Sequence, residues 1–116
     1  MSSASERFAR TPPVPYFAVI FTSQRAADEG DAYAQAAARM VELASARPGF
    51  LGVESARDGD GLGITVSYWA NEAAIAGWKC DLEHLAVQRA GRERWYEHFE
   101  LRVAKVERAS SFTARS

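Results

Sequence analysis

The amino-acid sequence predicts an α+β fold of the ferredoxin-like type, with the element order β-α-β-β-α-β and a four-stranded antiparallel sheet. Three observations predict it. Strand-like runs rich in β-branched and aromatic residues occur four times along the chain, a glycine-rich turn joins the second run to the third, and helix-like segments fill the two other connections. Because crossover connections are right-handed, this order places both helices on one face of the sheet.

Length and composition indicate a single folded domain with short ends. The chain has 116 residues, of which 47% are hydrophobic and 25% charged, which is typical of a globular domain of this size. We expect a flexible N-terminal arm over residues 1–14, a folded domain over residues 15–108 and a polar tail over residues 109–116. Pro12, Pro13 and Pro15 favour an extended chain where the arm meets the domain.

The first strand and the first helix follow from residue type and spacing. Residues Pro15 to Gln24 are β-branched and aromatic with apolar groups on both faces, which predicts a strand. Asp28 or Asp31 can cap the helix that follows, and Pro48 ends it. The apolar positions of this helix recur at helical spacing: Tyr33, Ala36, Ala37, Met40, Val41, Leu43 and Ala44.

A hairpin is predicted next. Phe50 to Arg57 and Leu62 to Trp69 read as strands, and the turn between them, Asp58-Gly59-Asp60-Gly61, contains the glycines that such turns require. The period of two in the later strand separates its side chains into two faces. One face carries Leu62, Ile64, Val66 and Tyr68, and the other carries Gly63, Thr65, Ser67 and Trp69.

The second crossover is predicted as two helical pieces before a last strand. Asn71 is a good N-cap for a helix through Lys79, and Asp81 can cap a second piece that runs to about Glu93. The last strand includes the alternating residues from Phe99 onward and ends near Glu107.

Charge and cysteine content exclude several partners. The 14 basic and 15 acidic side chains nearly cancel, so the chain has no field that attracts nucleic acid. Cys80 is the only cysteine, which excludes an intrachain disulfide and fits a reducing cytoplasm. The longest apolar run, Tyr16 to Phe21, is far too short to span a membrane. We expect a cytoplasmic protein without a nucleic-acid or membrane partner.

The sheet face away from the helices is expected to need a second copy of the chain. Several strands carry apolar groups on both sides, and the predicted topology covers only one of those sides with helices. A bare apolar face is a large exposed patch, and packing against a two-fold related copy would bury it. The sequence therefore predicts a homodimer.

The candidate functional residues are concentrated between Tyr68 and His98, a segment rich in large aromatic, histidine and arginine side chains. Trp78 can line a pocket or belong to the core, and an indole can do both. His84 is a candidate general base, or alternatively a half-exposed histidine near a helix start. Arg89 can bind an acidic group of a ligand or pair with neighbouring carboxylates. His98 is a second candidate.

Further pocket residues are expected on the strands, and no metal site is expected. Tyr16 and Phe21 can line the pocket from the sheet side, and Trp69 can lie under the helix or touch a ligand. Two isolated histidines make a poor metal site, so no metal is predicted from the residues.

The chain resembles the antibiotic biosynthesis monooxygenase family from about Tyr16 to Glu107. The resemblance is carried by the Pro48-Gly49-Phe50 step and by several motifs of the segment from the third strand to the last: Tyr68-Trp69 followed by Asn71-Glu72-Ala73, Trp78-Lys79, Glu83-His84 and Gly91-Arg92-Glu93-Arg94-Trp95-Tyr96. Members of this family are dimeric α+β barrels, so the resemblance implies the same fold and assembly.

For function, the resemblance implies a cofactor-independent monooxygenase that oxidises an aromatic, enolisable small molecule with O2. Trp78 matches the helix tryptophan of such enzymes, and His84 stands about where the anthrone oxidisers have a phenol. The resemblance also implies an amide side chain four residues before Trp78, where this chain has Ala74. The missing amide favours an alternative: a non-catalytic small-ligand-binding dimer of the same fold. The haem-degrading branch fits less well, because Gln88 and Arg89 stand where its iron ligand would be.

Overall fold

Four strands and two helices alternate along the chain in the predicted order. The computed structural model describes residues 7–25, 30–90 and 96–114, and at 30–37, 82–90 and 96 it describes the backbone alone. The elements are β1 (Tyr16–Arg25), α1 (Gly30–Ser45), β2 (Phe50–Arg57), β3 (Leu62–Trp69), α2 (Glu72–Ala90) and β4 (Tyr96–Val106).

The strands form one antiparallel sheet in the order β2-β3-β1-β4, which is the ferredoxin-like arrangement. The predicted fold class is confirmed.

Long-range pairing fixes the ends of the strands better than residue type does. The last strand starts at Tyr96, before the predicted segment, because β1 continues to Arg25 and pairs there with Tyr96 across an irregularity after Gln24.

One face of the sheet, called the inner face here, packs against the helices. On β1 it carries Phe17, Val19, Phe21 and Ser23, which pair in register with Trp69, Ser67, Thr65 and Gly63 of β3. Val19 and Trp69 are fully buried, and Ala44 of α1 together with Ile75 and Trp78 of α2 completes the core. The two faces predicted for β3 are therefore confirmed.

The opposite face, the outer face, is partly covered by the N-terminal segment. The backbone N–H of Ala9 donates to Glu54 Oε2 at 2.9 Å, and Thr11 Oγ1 donates to the Tyr16 hydroxyl at 3.1 Å. Tyr68 donates to Glu54 Oε1 at 2.7 Å. Further along the same face, Leu62 and Ile64 are each 45% exposed. The division of the chain into arm, domain and tail stays a prediction.

The second crossover contains one continuous helix, so the predicted break at Asp81 is wrong. Asn71 caps α2 as predicted, since its Oδ1 accepts the N–H of Ala74 at 2.9 Å. Asp81 instead accepts hydrogen bonds from Arg47, at 2.9 Å from Nε and 2.8 Å from Nη2. No glycine or proline stands between Lys79 and Asp81 to end the helix. The predicted end at Glu93 lies outside the described residues.

Neither described helix combines the length and the apolar character that crossing a bilayer demands.

Candidate functional site

A cavity lies between the two helices and the inner face of the sheet. Its empty space, the open mouth included, is about 660 Å³. Residues of α1, α2 and three strands line it: Phe21, Ser23, Met40, Val41, Ala44, Phe50, Val53, Ser55, Arg57, Thr65, Ser67 and Trp78. A concave site between layers of secondary structure is the usual place for a small ligand.

The described side chains on the helix side of the cavity are apolar, and Trp78 is the largest of them. Trp78 is 6% exposed and belongs to the core cluster while it also lines the cavity. Its ring lies 5.7 Å from that of Trp69 at an interplanar angle of 38°. Trp69 is held in turn by its Nε1–H, which donates to Ser67 Oγ at 2.8 Å. Trp78 is therefore both a packing residue and a wall of the cavity.

The sheet side becomes more polar along the strands. Paired inner-face positions of β2 and β3 form successive rows across the sheet. Starting from the Trp78 end, these rows are Phe50 with Trp69, Val53 with Ser67, Ser55 with Thr65, and Arg57 with Gly63. The floor thus changes from aromatic to hydroxyl-bearing to cationic.

Arg57 is a cavity residue that the sequence analysis missed. Among the lining residues that the structure describes, it alone carries a charge. The signal that would have found it is the strand alternation: Arg57 has the parity of Val53 and Ser55, and it pairs with Gly63 on the inner face. Its position at the end of β2, beside the acidic turn Asp58-Gly59-Asp60-Gly61, is otherwise typical of a solvated charge.

The structure brings only some of the predicted site residues together. Phe21 and Trp78 both line the cavity, and Trp69 lies beneath Trp78 without lining it. Tyr16 is on the outer face, where its ring meets that of Tyr68 at 5.7 Å. His98 also lies on the outer face, exposed, with Nε2 at 2.7 Å from Glu100 Oε2. Neither Tyr16 nor His98 reaches the cavity from there.

The two remaining predicted residues belong to the second half of α2. His84 and Arg89 are part of that helix, but their side chains lie outside the described part of the structure. Within the described residues, no group of three or more histidine, cysteine or acidic side chains comes together as a metal site would require.

Ala74 faces a turn and not the cavity. A Cβ placed on Gly49 would lie 2.8 Å from the Cβ of Ala74, so the two backbones approach closely there. Gly49 has a φ of 87°, in the left-handed region that favours glycine. Residue 74, at which the resemblance implies an amide, is therefore an alanine that packs α2 against the turn at Gly49.

Comparison with known proteins decides the family. The sequence model of the antibiotic biosynthesis monooxygenase family matches residues 16–90. The chain belongs to this family. It is also 50% identical, over 104 residues, to the uncharacterised protein YqjZ of Bacillus subtilis (strain 168), and the match covers 90% of each chain.

Solved structures of other proteins share the fold. SnoaB of Streptomyces nogalater, a cofactor-independent oxygenase whose structure is that of a point mutant, matches with a TM-score of 0.63 and 17% identity, over 89% of this chain and 96% of SnoaB. Protein PA3566 of Pseudomonas aeruginosa matches with a TM-score of 0.63 and 18% identity, over 84% of this chain and 97% of its own. At this identity the likeness concerns the fold alone.

Proposed function

We propose that this antibiotic biosynthesis monooxygenase family member oxidises an aromatic, enolisable small molecule with O2 and without a cofactor. The observation that carries the proposal is the cavity beneath Trp78, which combines an apolar wall with hydroxyl groups on its floor. Such a site suits a flat ligand, because the wall buries the ring and the hydroxyls can donate to an oxygen of the ligand. Family membership and the fold shared with SnoaB support the choice of reaction.

The proposed chemistry needs a base and a place for a developing negative charge. A base removes a proton from an activated CH2 group of the substrate, and the resulting carbanion spreads its charge onto a conjugated oxygen. O2 accepts electrons from the carbanion, a C–O bond forms, and loss of water leaves a carbonyl. One oxygen atom of O2 stays in the product and the other leaves as water. Hydroxyl donors near the conjugated oxygen would stabilise the charged intermediate.

We assign the role of base to His84, whose ordinary pKa range suits proton abstraction near neutral pH. Oxygen uptake by the purified protein with a panel of anthrones and hydroquinones tests the assignment. Uptake should exceed that of the buffer and fall at least roughly a hundredfold in His84→Ala, since general bases contribute about that much. A fall in oxygen uptake in His98→Ala, with unchanged uptake in His84→Ala, would refute the assignment of the base to His84.

A non-catalytic ligand binder is the second candidate, and the position of Ala74 against Gly49 favours it. With no amide at residue 74, one possible donor for the developing charge is missing. Saturable quenching of tryptophan fluorescence by the same panel, without oxygen uptake above the buffer, would identify a binder. Uptake that follows the same saturation curve would identify the oxygenase.

We further propose that the protein works as a homodimer in the cytoplasm. The exposed Leu62 and Ile64 on the outer face support a second copy there, because a face with such side chains gains from being covered. The cytoplasmic location is supported by the single cysteine, Cys80.

A further inference from the structure

We propose that the cavity binds a flat aromatic ligand that carries an oxygen atom at each end, one bound by Ser67 and the other by Ser23. This inference rests on the proposed function in one respect, that the cavity is the ligand site. It adds where the oxygens of the ligand lie and which two residues determine specificity. It is carried by the burial of the two serines, by their hydrogen bonding and by the register of the strands.

Two buried serines line the cavity. Ser23 is 3% exposed and Ser67 is 4% exposed, and both belong to the cavity lining. A buried hydroxyl is costly when it has no hydrogen-bond partner. A ligand that fills the cavity must therefore offer a polar atom to each serine or lose affinity.

Ser67 is a hydrogen-bond donor that the fold holds in place. Its Oγ accepts the Nε1–H of Trp69 at 2.8 Å, and its own proton has no acceptor among the described residues. A hydroxyl that accepts one hydrogen bond becomes a stronger donor in the next. The ring of Trp69 lies 5.7 Å from that of Trp78. Ser67 can therefore donate to a carbonyl or phenol oxygen on the part of the ligand nearest Trp78.

Ser23 has a hydroxyl that opens onto the cavity. Within the described part of the chain, every side-chain oxygen or nitrogen that is fully sealed from solvent has a hydrogen-bond partner. The hydroxyl of Ser23 has no such partner among these residues, so its oxygen is not sealed and borders the cavity space. A hydroxyl can both donate and accept. Ser23 can therefore bind a phenol or a carbonyl oxygen of the ligand.

The register of the strands sets the distance between the two serines. On the inner face, Ser67 pairs with Val19 of β1, and Ser23 lies four residues further along that strand. Strand geometry then places the two serines about 14 Å apart. A hydrogen bond of roughly 2.8 Å at each end leaves roughly 9–14 Å between two oxygens of one ligand. Phe21 lies between the serines on β1 and lines the cavity, so the middle of the ligand would lie over an aromatic ring.

Two diols of one aromatic skeleton test the inference without requiring turnover. Biphenyl-4,4′-diol has a hydroxyl at each end of two linked rings, whereas biphenyl-3,5-diol has both hydroxyls on one ring. Equilibrium dialysis would measure the affinity of each diol for the wild-type protein, Ser23→Ala and Ser45→Ala. Ser45 is the matched control, because it is an exposed serine of α1 outside the described cavity lining, and its Oγ donates to the Glu42 carbonyl oxygen at 3.0 Å.

Wild type and Ser45→Ala should bind biphenyl-4,4′-diol about two- to tenfold more tightly than biphenyl-3,5-diol, which is what one additional hydrogen bond contributes. Ser23→Ala should bind the two diols about equally, because the contact at one end is gone. This variant loses no hydrogen bond to a described residue, so it should fold as the wild type does. Equal binding of the diols by the wild type, binding of neither, or an intact preference in Ser23→Ala would overturn the inference.

If Ser23→Ala bound neither diol, Ser23→Cys would decide, because a thiol keeps the size of the side chain and is only a weak donor. A reduced preference for biphenyl-4,4′-diol in Ser23→Cys supports the inference, and an undiminished one overturns it. Loss of both diols in both variants would show that Ser23 has a structural role, and would also overturn it.

The outcomes for the two proposals are separable. A clear preference for biphenyl-4,4′-diol with no oxygen uptake by any substrate would refute the oxygenase and leave the inference standing. Oxygen uptake with anthrones but no preference between the diols would refute the inference and leave the oxygenase standing.

Discussion

Tyr68 joins the outer face of the sheet to the N-terminal segment through Glu54. Burial, the hydrogen bond to Glu54 and the negative charge of that carboxylate raise the pKa of Tyr68 from its ordinary value of 10.0 to about 12. The folded state therefore keeps the Tyr68 proton at a pH at which the unfolded chain has lost it. This contribution to stability is complete below pH 10 and is lost as the pH rises toward 12.

We predict that the wild-type protein loses free energy of unfolding more steeply than Tyr68→Phe as the pH rises from 10 to 12. The phenylalanine variant has no proton to lose at this position, so it is the matched control. Urea unfolding at a series of pH values measures the difference. Equal slopes for the two proteins over this range would contradict the shifted pKa.

At the scale of elements, the pair Arg47–Asp81 links the turn after α1 to the middle of α2. Its side chains are 37% and 31% exposed, whereas those of Arg39 and Glu42, paired within α1, are 56% and 69% exposed. Arg47 also lies against Gly77 of α2, where an added Cβ would be 3.0 Å from Nη1. The pair therefore holds α2, and with it Trp78, in its place beside the end of α1.

A double-mutant cycle on Arg47→Ala and Asp81→Ala should give a coupling free energy of about 0.5–1 kcal/mol. The cycle on Arg39→Ala and Glu42→Ala should give no more than a few tenths of a kcal/mol, because more exposed pairs are better screened. Urea unfolding measures both cycles. A larger coupling at Arg39–Glu42 than at Arg47–Asp81 would show that the link between turn and helix contributes nothing specific.

Local patterns predicted the elements well, and contacts distant in sequence account for the errors. The alternation in β3 predicted correctly that Ser67 and Trp69 share one face, and the structure shows that this face packs against the helices. By contrast, Asp81 has the residue type of a cap, and only Arg47, distant in sequence, explains why it stands inside a helix. Parity with Val53 and Ser55 was enough to place Arg57 on their face of β2, and only its pairing with Gly63 required the register between the strands.

At the scale of the whole molecule, the outer face is the expected interface of the proposed homodimer. Leu62 and Ile64 stay exposed beyond the region that Ala9 and Thr11 cover. A second copy would meet the sheet at that uncovered end. Burying these side chains would favour association by roughly 25 cal/mol for each Å² of apolar surface removed from water.

Ile64→Lys should convert a dimeric protein into a monomer, because a lysine charge in an apolar interface is costly to bury. Phe112→Lys is the control: Phe112 is 89% exposed in the segment after β4, and its replacement should leave the dimer intact. Sedimentation equilibrium measures the mass of each. A monomeric wild-type protein, or an Ile64→Lys variant that stays dimeric, would contradict an interface at this end of the outer face.

The most direct test of a ligand site beneath Trp78 is a crystal structure of the protein soaked with an aromatic compound that saturates binding in solution. The ring should lie in the cavity, between Trp78 and the strand floor. An empty cavity, or a compound bound on the outer face under those same saturating conditions, would contradict the proposed site.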